Sequence, residues 1–281
     1  MPRRPRPLVM GVLNATPDSF SDGGRFGGPG VEAEGLVAQG LAMIAQGADL
    51  IDVGGESTRP GAAPVPAAEE LRRVLPVVEA LAAHTRVSID TMKATVAAAA
   101  ARAGATVLND VTGLADPEMA AASSLFEITV VMHMRGEPRT MAQLTAYDDL
   151  LGEVCATLAA AAGRAQSAQV WVDPGVGFAK DTAQNLRLID QLARVAALGH
   201  PVLVGLSRKR FVGAVLALPD PADRLFGSLG AAAAAWQRGA QIFRVHDVGP
   251  TRQLLDMLWA VDCADPTPRG RGSADPAQQS G

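Results

Sequence analysis

Cysteine, lysine and charge are all scarce in this sequence. Its two cysteines, Cys155 and Cys263, lie far apart and outside any CxxC or Cys/His ligand pattern. That excludes a disulfide scaffold and argues against a structural zinc site. Charged residues make up 19% of the 281 positions, and 25 basic against 29 acidic residues give a formal net charge of −4. The basic footprint of a nucleic-acid binder is missing, so no nucleic-acid partner is expected. No apolar run reaches the roughly 18 residues of a membrane-crossing helix, so no membrane partner is expected either. Residues Met1 to Pro7 are basic and Pro-rich. The apolar stretch that follows is only about six residues, too short for a signal-peptide core. A cytoplasmic protein is the resulting expectation. The basic residues are themselves lopsided: 22 Arg against three Lys, at Lys93, Lys180 and Lys209.

What is present is apolar material, 48% of the chain. That suffices for a sizeable core and argues against disorder. The apolar runs alternate between two kinds. Short β-type segments occur at 8–13, 49–53, 86–89, 106–108, 128–132, 170–172, 202–205 and 241–245. Helical patterns fill the gaps at 31–45, 67–83, 92–103, 117–125, 148–166, 182–197, 223–238 and 251–260. Gly47, Gly104, Gly199 and Gly239 close helices at the position glycine favours. Segments such as VLVG and VVMHM are apolar on consecutive residues, which suits parallel strands buried on both faces. Eight such units predict a (β/α)8 TIM barrel, an α/β fold of about 250 residues. The alternative is a doubly wound open sheet, but no GxGxxG follows the first strand. We expect one catalytic domain over residues 1–261. The Pro/Gly/Ser/Asp/Arg-rich residues 262–281 read as a disordered tail.

In such a barrel the active site lies at the C-terminal ends of the strands. Polar residues follow all eight. Asn14 comes after strand 1, and Glu56, Ser57, Thr58 and Arg59 after strand 2. Next come Asp90, then Asn109 and Asp110, then His133 and Arg135. Asp173 follows strand 6, Ser207, Arg208 and Lys209 follow strand 7, and Arg244 with His246 end strand 8. Polar loops are ordinary, but repeated Asn, Asp or cations directly after apolar strands point to one convergent site. The mixture of carboxylates and cations suits a ligand with donors at one end and an anion at the other. Arg244 and His246 share one strand face, and a helix N-terminus near Pro250-Thr251 follows them, favouring a phosphate. No covalent nucleophile stands out: GxSxG is absent and both cysteines lie outside the set. Paired aspartates could serve glycoside hydrolysis, yet two Arg, a Lys and two Asn suit an oxocarbenium ion poorly.

The motifs GVLNATPDSFSDGG from Gly11 and DVGGESTRPGA from Asp52 resemble the two first signatures of dihydropteroate synthases. SIDTMK, NDVTG, MHMRGEPRTM, DPGVGFAK, SRKRF and RVHDV follow in family order. The resemblance implies a reaction in which 4-aminobenzoate displaces diphosphate from (7,8-dihydropterin-6-yl)methyl diphosphate, giving dihydropteroate for folate synthesis. It further implies Mg2+ as cofactor, a homodimer, and sulfonamides as competitors for the 4-aminobenzoate site.

It also assigns residues. Asp90, Lys209 and Asp173 are the catalytic set. The pterin falls to Asp90, Asn109, Asp173, Lys209 and Met132, with Asp173 accepting the adjacent 2-amino and N3–H donors of the ring. Asn14, Thr58, Arg244 and His246 take the diphosphate, and Asn14 binds the metal. Thr58, Arg59, Pro60, Phe178, Lys209 and Ser207 meet 4-aminobenzoate. The implied mechanism is SN1-like: diphosphate leaves, the ring stabilises a methylene cation, and the aromatic amine attacks without a strong base. His84 and His200 read as structural, and His133 is left open between site and core.

Loops 15–30 and 54–66 exceed the usual 2–6 residues. They are expected to be mobile lids that exclude water from the cation. Gly230 stands where the resembling family more often has Ala, which suggests looser local packing. Two rival readings share the pterin pocket: a pterin-dependent methyltransferase and a non-catalytic pterin-binding homologue. NATPDSFSDGG and GGESTRPGA favour the synthase over the first. Asn14, Thr58, Arg59, Lys209 and Arg244 argue against the second.

Overall fold

The computed structural model describes residues 4–16, 29–57, 63–137 and 139–264. Apolar strands buried on both faces need cover on both sides, and closure into a barrel supplies it. Eight parallel strands close in chain order, each hydrogen-bonded to the next. They are β1 (Leu8–Asn14), β2 (Leu50–Gly54), β3 (Arg86–Asp90) and β4 (Val107–Asp110), then β5 (Ile128–Met132), β6 (Gln169–Asp173), β7 (Val202–Val204) and β8 (Ala240–Val245). Pairing of β8 with β1, for example Met10 with Arg244, shuts the ring. The open-sheet alternative is thereby excluded.

The helices form the outer layer. They are α1 (Pro29–Ala45), α2 (Ala67–Ala82), α3 (Ala94–Arg102), α4 (Pro117–Ala122) and α5 (Leu150–Ala162), followed by α6 (Thr182–Asp190), α7 (Leu192–Ala196), α8 (Arg210–Leu216), α9 (Leu225–Gln237) and α10 (Val248–Cys263). Their apolar faces pack on outward strand residues such as Val9, Ile51, Ile89, Leu108 and Phe243 in one continuous core. Each fully buried Val, Leu, Ile or Phe contributes roughly 1.5–3 kcal/mol. Gly47, Gly104, Gly199 and Gly239 all have positive φ, between 84° and 106°, as expected of helix-ending glycines.

Several expected boundaries move. The segment 182–197 is two helices that break at Gln191, where Arg238 Nε takes the Asp190 carbonyl. α8 is an element beyond the eight expected. The last helix starts at Val248 and runs through Cys263, whose side chain is buried. Regular structure therefore continues two residues past the expected 261 boundary. Most of the expected tail (265–281), and the central parts of both expected lids (17–28 and 58–62), lie outside the described residues.

Candidate active site

Strand alternation builds this site. Every second residue of a strand points into the barrel. The lower interior is a separate apolar plug of Met10, Leu50, Val107, Ile128, Val130, Trp171, Leu203 and Ile242. Two residues further along the same strands the chemistry changes. Leu50 gives way to Asp52, Val107 to Asn109, Trp171 to Asp173 and Ile242 to Arg244. β3 ends at Asp90, in register with Asn109, and β5 ends at Met132, in register with Asp173. Asp52, Asp90, Asn109, Met132 and Asp173 are all buried. The barrel thus ends upward in a polar layer resting on a dry floor.

One half of that layer is organised by Arg244. Its Nε donates to Asp52 Oδ2 at 2.6 Å and its Nη2 to Asp90 Oδ2 at 2.7 Å. Asn109 Nδ2 also donates to Asp52 Oδ2, at 3.1 Å. Burial pushes the Asp90 carboxyl up, to about 7; Arg244 opposes this and Asp52 adds to it. Burial works against the Arg244 charge, but Asp52 and Asp90 outweigh it and raise its pKa. Asp52 Oδ1 and Asp90 Oδ1 are buried with no hydrogen-bond partner among the described residues. An unpaired buried polar oxygen is costly, so these two are candidate contacts for the polar edge of a ligand.

The other half is organised by Lys209, which follows β7. Its Nζ donates to the Val176 carbonyl at 2.6 Å and sits 4.3 Å from the Phe178 ring centroid. Burial pulls this ammonium down, to about 8; Asp173 resists and Arg244 assists. Asp173 Oδ1 accepts the Gly175 N–H at 2.8 Å. Burial raises the Asp173 carboxyl, while the Gly175 bond and Lys209 pull the other way. Ser207 Oγ lies 3.1 Å from His246 Nδ1 and accepts the His246 N–H at 3.2 Å. A ligand here meets carboxylates on one side and an ammonium with an aromatic face on the other.

The structure therefore brings Asp90, Asn109 and Arg244 into one hydrogen-bonded group, and Asp173, Lys209 and Phe178 into a second. Met132 pairs in register with Asp173. Asn14 closes β1, half-buried and in register with Gly54. Thr58, Arg59 and Pro60 lie outside the described residues. Other strand-end residues turn away to structural partners: Arg208 to Asp247, and Arg135 to Glu153. Asp247 opens α10, so the first residue of that terminus is a paired carboxylate, three to four positions before the expected start.

Sequence reading missed Asp52, although its signal was available as the lone carboxylate within the buried strand LIDVG. It also left the partners of Lys93 and Lys180 unassigned. Lys93 bridges Glu56 and the fully buried Glu70. Lys180 Nζ contacts His133 Nδ1 at 3.0 Å. His133 is core: burial, then the Lys180 charge, pushes it down to about 3, leaving a neutral ring. His84 and His200 precede β3 and β7, at the opposite end of the barrel from this mouth.

A closed eight-stranded barrel with a charged pocket at its C-terminal mouth defines a barrel enzyme. The chain belongs to the pterin binding enzyme family, whose pattern matches residues 10–246. Within that family it is similar to dihydropteroate synthases. The enzyme of Synechocystis is 43% identical over 266 residues, covering 90% of this chain and 91% of its own. That of Escherichia coli K12 is 43% identical, covering 91% and 92%. Among solved structures, Xanthomonas albilineans dihydropteroate synthase with 4-aminobenzoic acid superposes with a TM-score of 0.84 at 44% identity, over 94% of both chains. The same enzyme in complex with 7,8-dihydropteroate gives 0.81 at 42% identity, over 94% and 95%. Among the described residues no helix is long and apolar enough to cross a membrane.

Proposed function

We propose that this protein is a dihydropteroate synthase, a transferase that joins 4-aminobenzoate to (7,8-dihydropterin-6-yl)methyl diphosphate. The C–O bond to diphosphate breaks, a C–N bond forms, and the amine releases a proton. The observation that carries this reading is the polar layer itself. Four carboxylate or amide side chains, Asp52, Asp90, Asn109 and Asp173, sit buried at the C-terminal mouth of the barrel, and two carboxylate oxygens there have no hydrogen-bond partner among the described residues. A pterin edge is a row of N–H donors, and such acceptors match it.

In this reading Asp173 accepts the 2-amino and N3–H groups, while Asn109, Asp90 and Met132 hold the rest of the ring. Lys209 serves both substrates, since it stands between Asp173 and the Phe178 face. Phe178, Ser207, Thr58, Arg59 and Pro60 receive 4-aminobenzoate, a site where sulfonamides compete. Diphosphate lies toward Asn14, Thr58, Arg244 and His246. Departure of diphosphate leaves a cation at the pterin methylene, and buried negative charge at Asp90 stabilises it. The aromatic amine then attacks directly.

The described residues hold no cluster of three or more His, Cys, Asp or Glu that would cage a metal. The half-buried Asn14 amide oxygen is a hard, neutral donor, which fits a Mg2+ arriving with diphosphate and keeping water and phosphate as its other ligands. When bound, the ion would neutralise charge on the leaving group. The reading extends to a cytoplasmic homodimer joined through α9 and α10. Phe226, Met257 and Val261 on these helices are 83%, 65% and 65% exposed, and exposed apolar side chains suit an interface.

The test is direct. The purified protein is incubated with the pterin diphosphate, 4-aminobenzoate and Mg2+, and dihydropteroate and diphosphate are both measured. Equimolar appearance of the two is expected. Folded protein that releases neither would overturn the assignment.

A further inference from the structure

The turn after β6 is unusually constrained. Gly175 and Gly177 have φ of 69° and 85°, and Ala179 holds 49° without being glycine. A Cβ at Gly175 would lie 1.9 Å from the His133 carbonyl oxygen, and one at Gly177 would lie 2.8 Å from Lys209 Cδ. Left-handed backbone at a non-glycine residue costs energy, and it persists only where surrounding groups hold it.

Two lysines hold this turn. Lys209 takes the Val176 carbonyl. Lys180, only 8% exposed, takes the carbonyls of Gly175 and Phe178, each at 3.0 Å, and shares its third direction with His133 Nδ1. An ammonium has three donors and no acceptor; here two carbonyls take two of them and the His133 ring nitrogen lies within reach of the third. The neutral His133 ring accepts at Nδ1 in the tautomer that carries its proton on Nε2. Asn185, also buried, finishes the tethering by accepting the Gly177 N–H at 2.6 Å. A planar guanidinium fork would not match this tripod, which explains a lysine at this position in a chain otherwise built with arginine.

We infer that Lys180 is a positioning residue that fixes the 175–178 turn, and through it the Phe178 face, for 4-aminobenzoate. The inference rests on the function proposed above. Burial pulls the Lys180 ammonium down, to about 7, and Asp173 resists this through charge; the Asp173 backbone is held independently, because its carbonyl accepts the His133 N–H and it pairs in register with Met132. Loss of Lys180 therefore acts on the amine substrate more than on the pterin.

Steady-state kinetics of wild type, Lys180→Met and Lys180→Gln test this. In both variants the KM for 4-aminobenzoate should rise about tenfold, with kcat within about threefold and the KM for the pterin diphosphate within about twofold, the pattern of uniform binding lost for one substrate. A purely structural lysine would lower the melting temperature without splitting the two KM values. If Lys180→Met does not fold, Lys180→Gln, which keeps donors in the pocket, decides. A folded variant with wild-type KM for 4-aminobenzoate, or with both KM values raised in parallel, overturns the inference. Wild-type protein without activity would instead reject the proposed function, so the two failures are distinguishable.

Discussion

Asp90 and Lys209 titrate toward each other. Burial lifts the first to about 7 and lowers the second to about 8. If the working site needs Asp90 ionised and Lys209 protonated, both conditions hold only in a narrow interval. The expected profile of kcat/KM against pH is a bell with limbs near 7 and 8. A rate constant that stays flat from about pH 6 to 9 would contradict it. The same shift affects stability. A carboxyl raised in the fold binds its proton more tightly there than in the unfolded chain. Its contribution is full below the ordinary value of 3.8 and is lost as pH rises through about 7.

Lys93 is a residue of another kind. Its ammonium bridges Glu56 and the fully buried Glu70, and Glu56 also accepts the Val65 N–H at 3.2 Å. Lys93→Met would leave Glu70 buried without its cation. Since the Lys93 side chain is 26% exposed, the cost should fall somewhat below that of a fully buried pair, about 2–4 kcal/mol. Urea unfolding of the variant measures this, and an unchanged midpoint would show the cluster to be inert.

Much of this scale was legible in the sequence. Asp90, Asn109, Asp173, Lys209 and Arg244 stand where apolar strands end, and position in a barrel then implies a site. Asp52 was less visible. Whether a residue inside an apolar strand faces helix or barrel depends on parity, and a strand buried on both faces carries no alternation to reveal it.

Among the elements, α9 offers a clean measurement. Gly230 is exposed, and a Cβ added there would meet nothing within 4 Å. The expected cost of this glycine is therefore not loose packing but backbone entropy alone. Gly230→Ala should stabilise the protein by about 0.5–1 kcal/mol without altering kinetics. A lower melting temperature in that variant would refute this.

Long helices and glycine stops were readable because a 3.6-residue apolar period repeats over several turns. α8 was not. Its seven residues, RFVGAVL, are too few to display a period, and it ends at Ala217 in the left-handed region, φ 55°. β7 is shorter still, three residues with a register irregularity between Val202 and Leu203, yet its continuous apolar run made it readable. At the break between α6 and α7 the Asp190 carbonyl is taken by Arg238, 48 positions further along the chain, and no local pattern carries that.

At the scale of the whole molecule the segment before β1 is tied to α9 and α10. Trp259 Nε1 donates to the Arg4 carbonyl at 2.9 Å, and Arg4 Nη1 donates to the Trp236 carbonyl at 2.9 Å. Arg6 grips Asp256 through two bonds of 2.9 and 3.0 Å, and Arg252 Nη1 reaches the Pro7 carbonyl at 2.9 Å. This strap lies before β1, at the end of the barrel opposite the site. Deleting residues 1–6 should lower stability by about 2–4 kcal/mol, a few net hydrogen bonds, and leave kcat/KM unchanged. Thermal melting and the condensation assay check the two halves of that statement, and a truncated chain with altered kcat/KM would contradict it.

By itself the sequence determined the repeated strand–helix unit, the level at which polar residues begin, and the motifs that mark the family. These are local properties, set by apolar periodicity, glycine stops and residue type. Only the tertiary structure decided which groups share a charge. It placed Arg244 between Asp52 and Asp90, and it gave Lys180 and Lys209 the same turn. Those partners are separated by up to 192 positions in the chain. Barrel closure brings them within hydrogen-bond reach, and burial there makes their pairing matter.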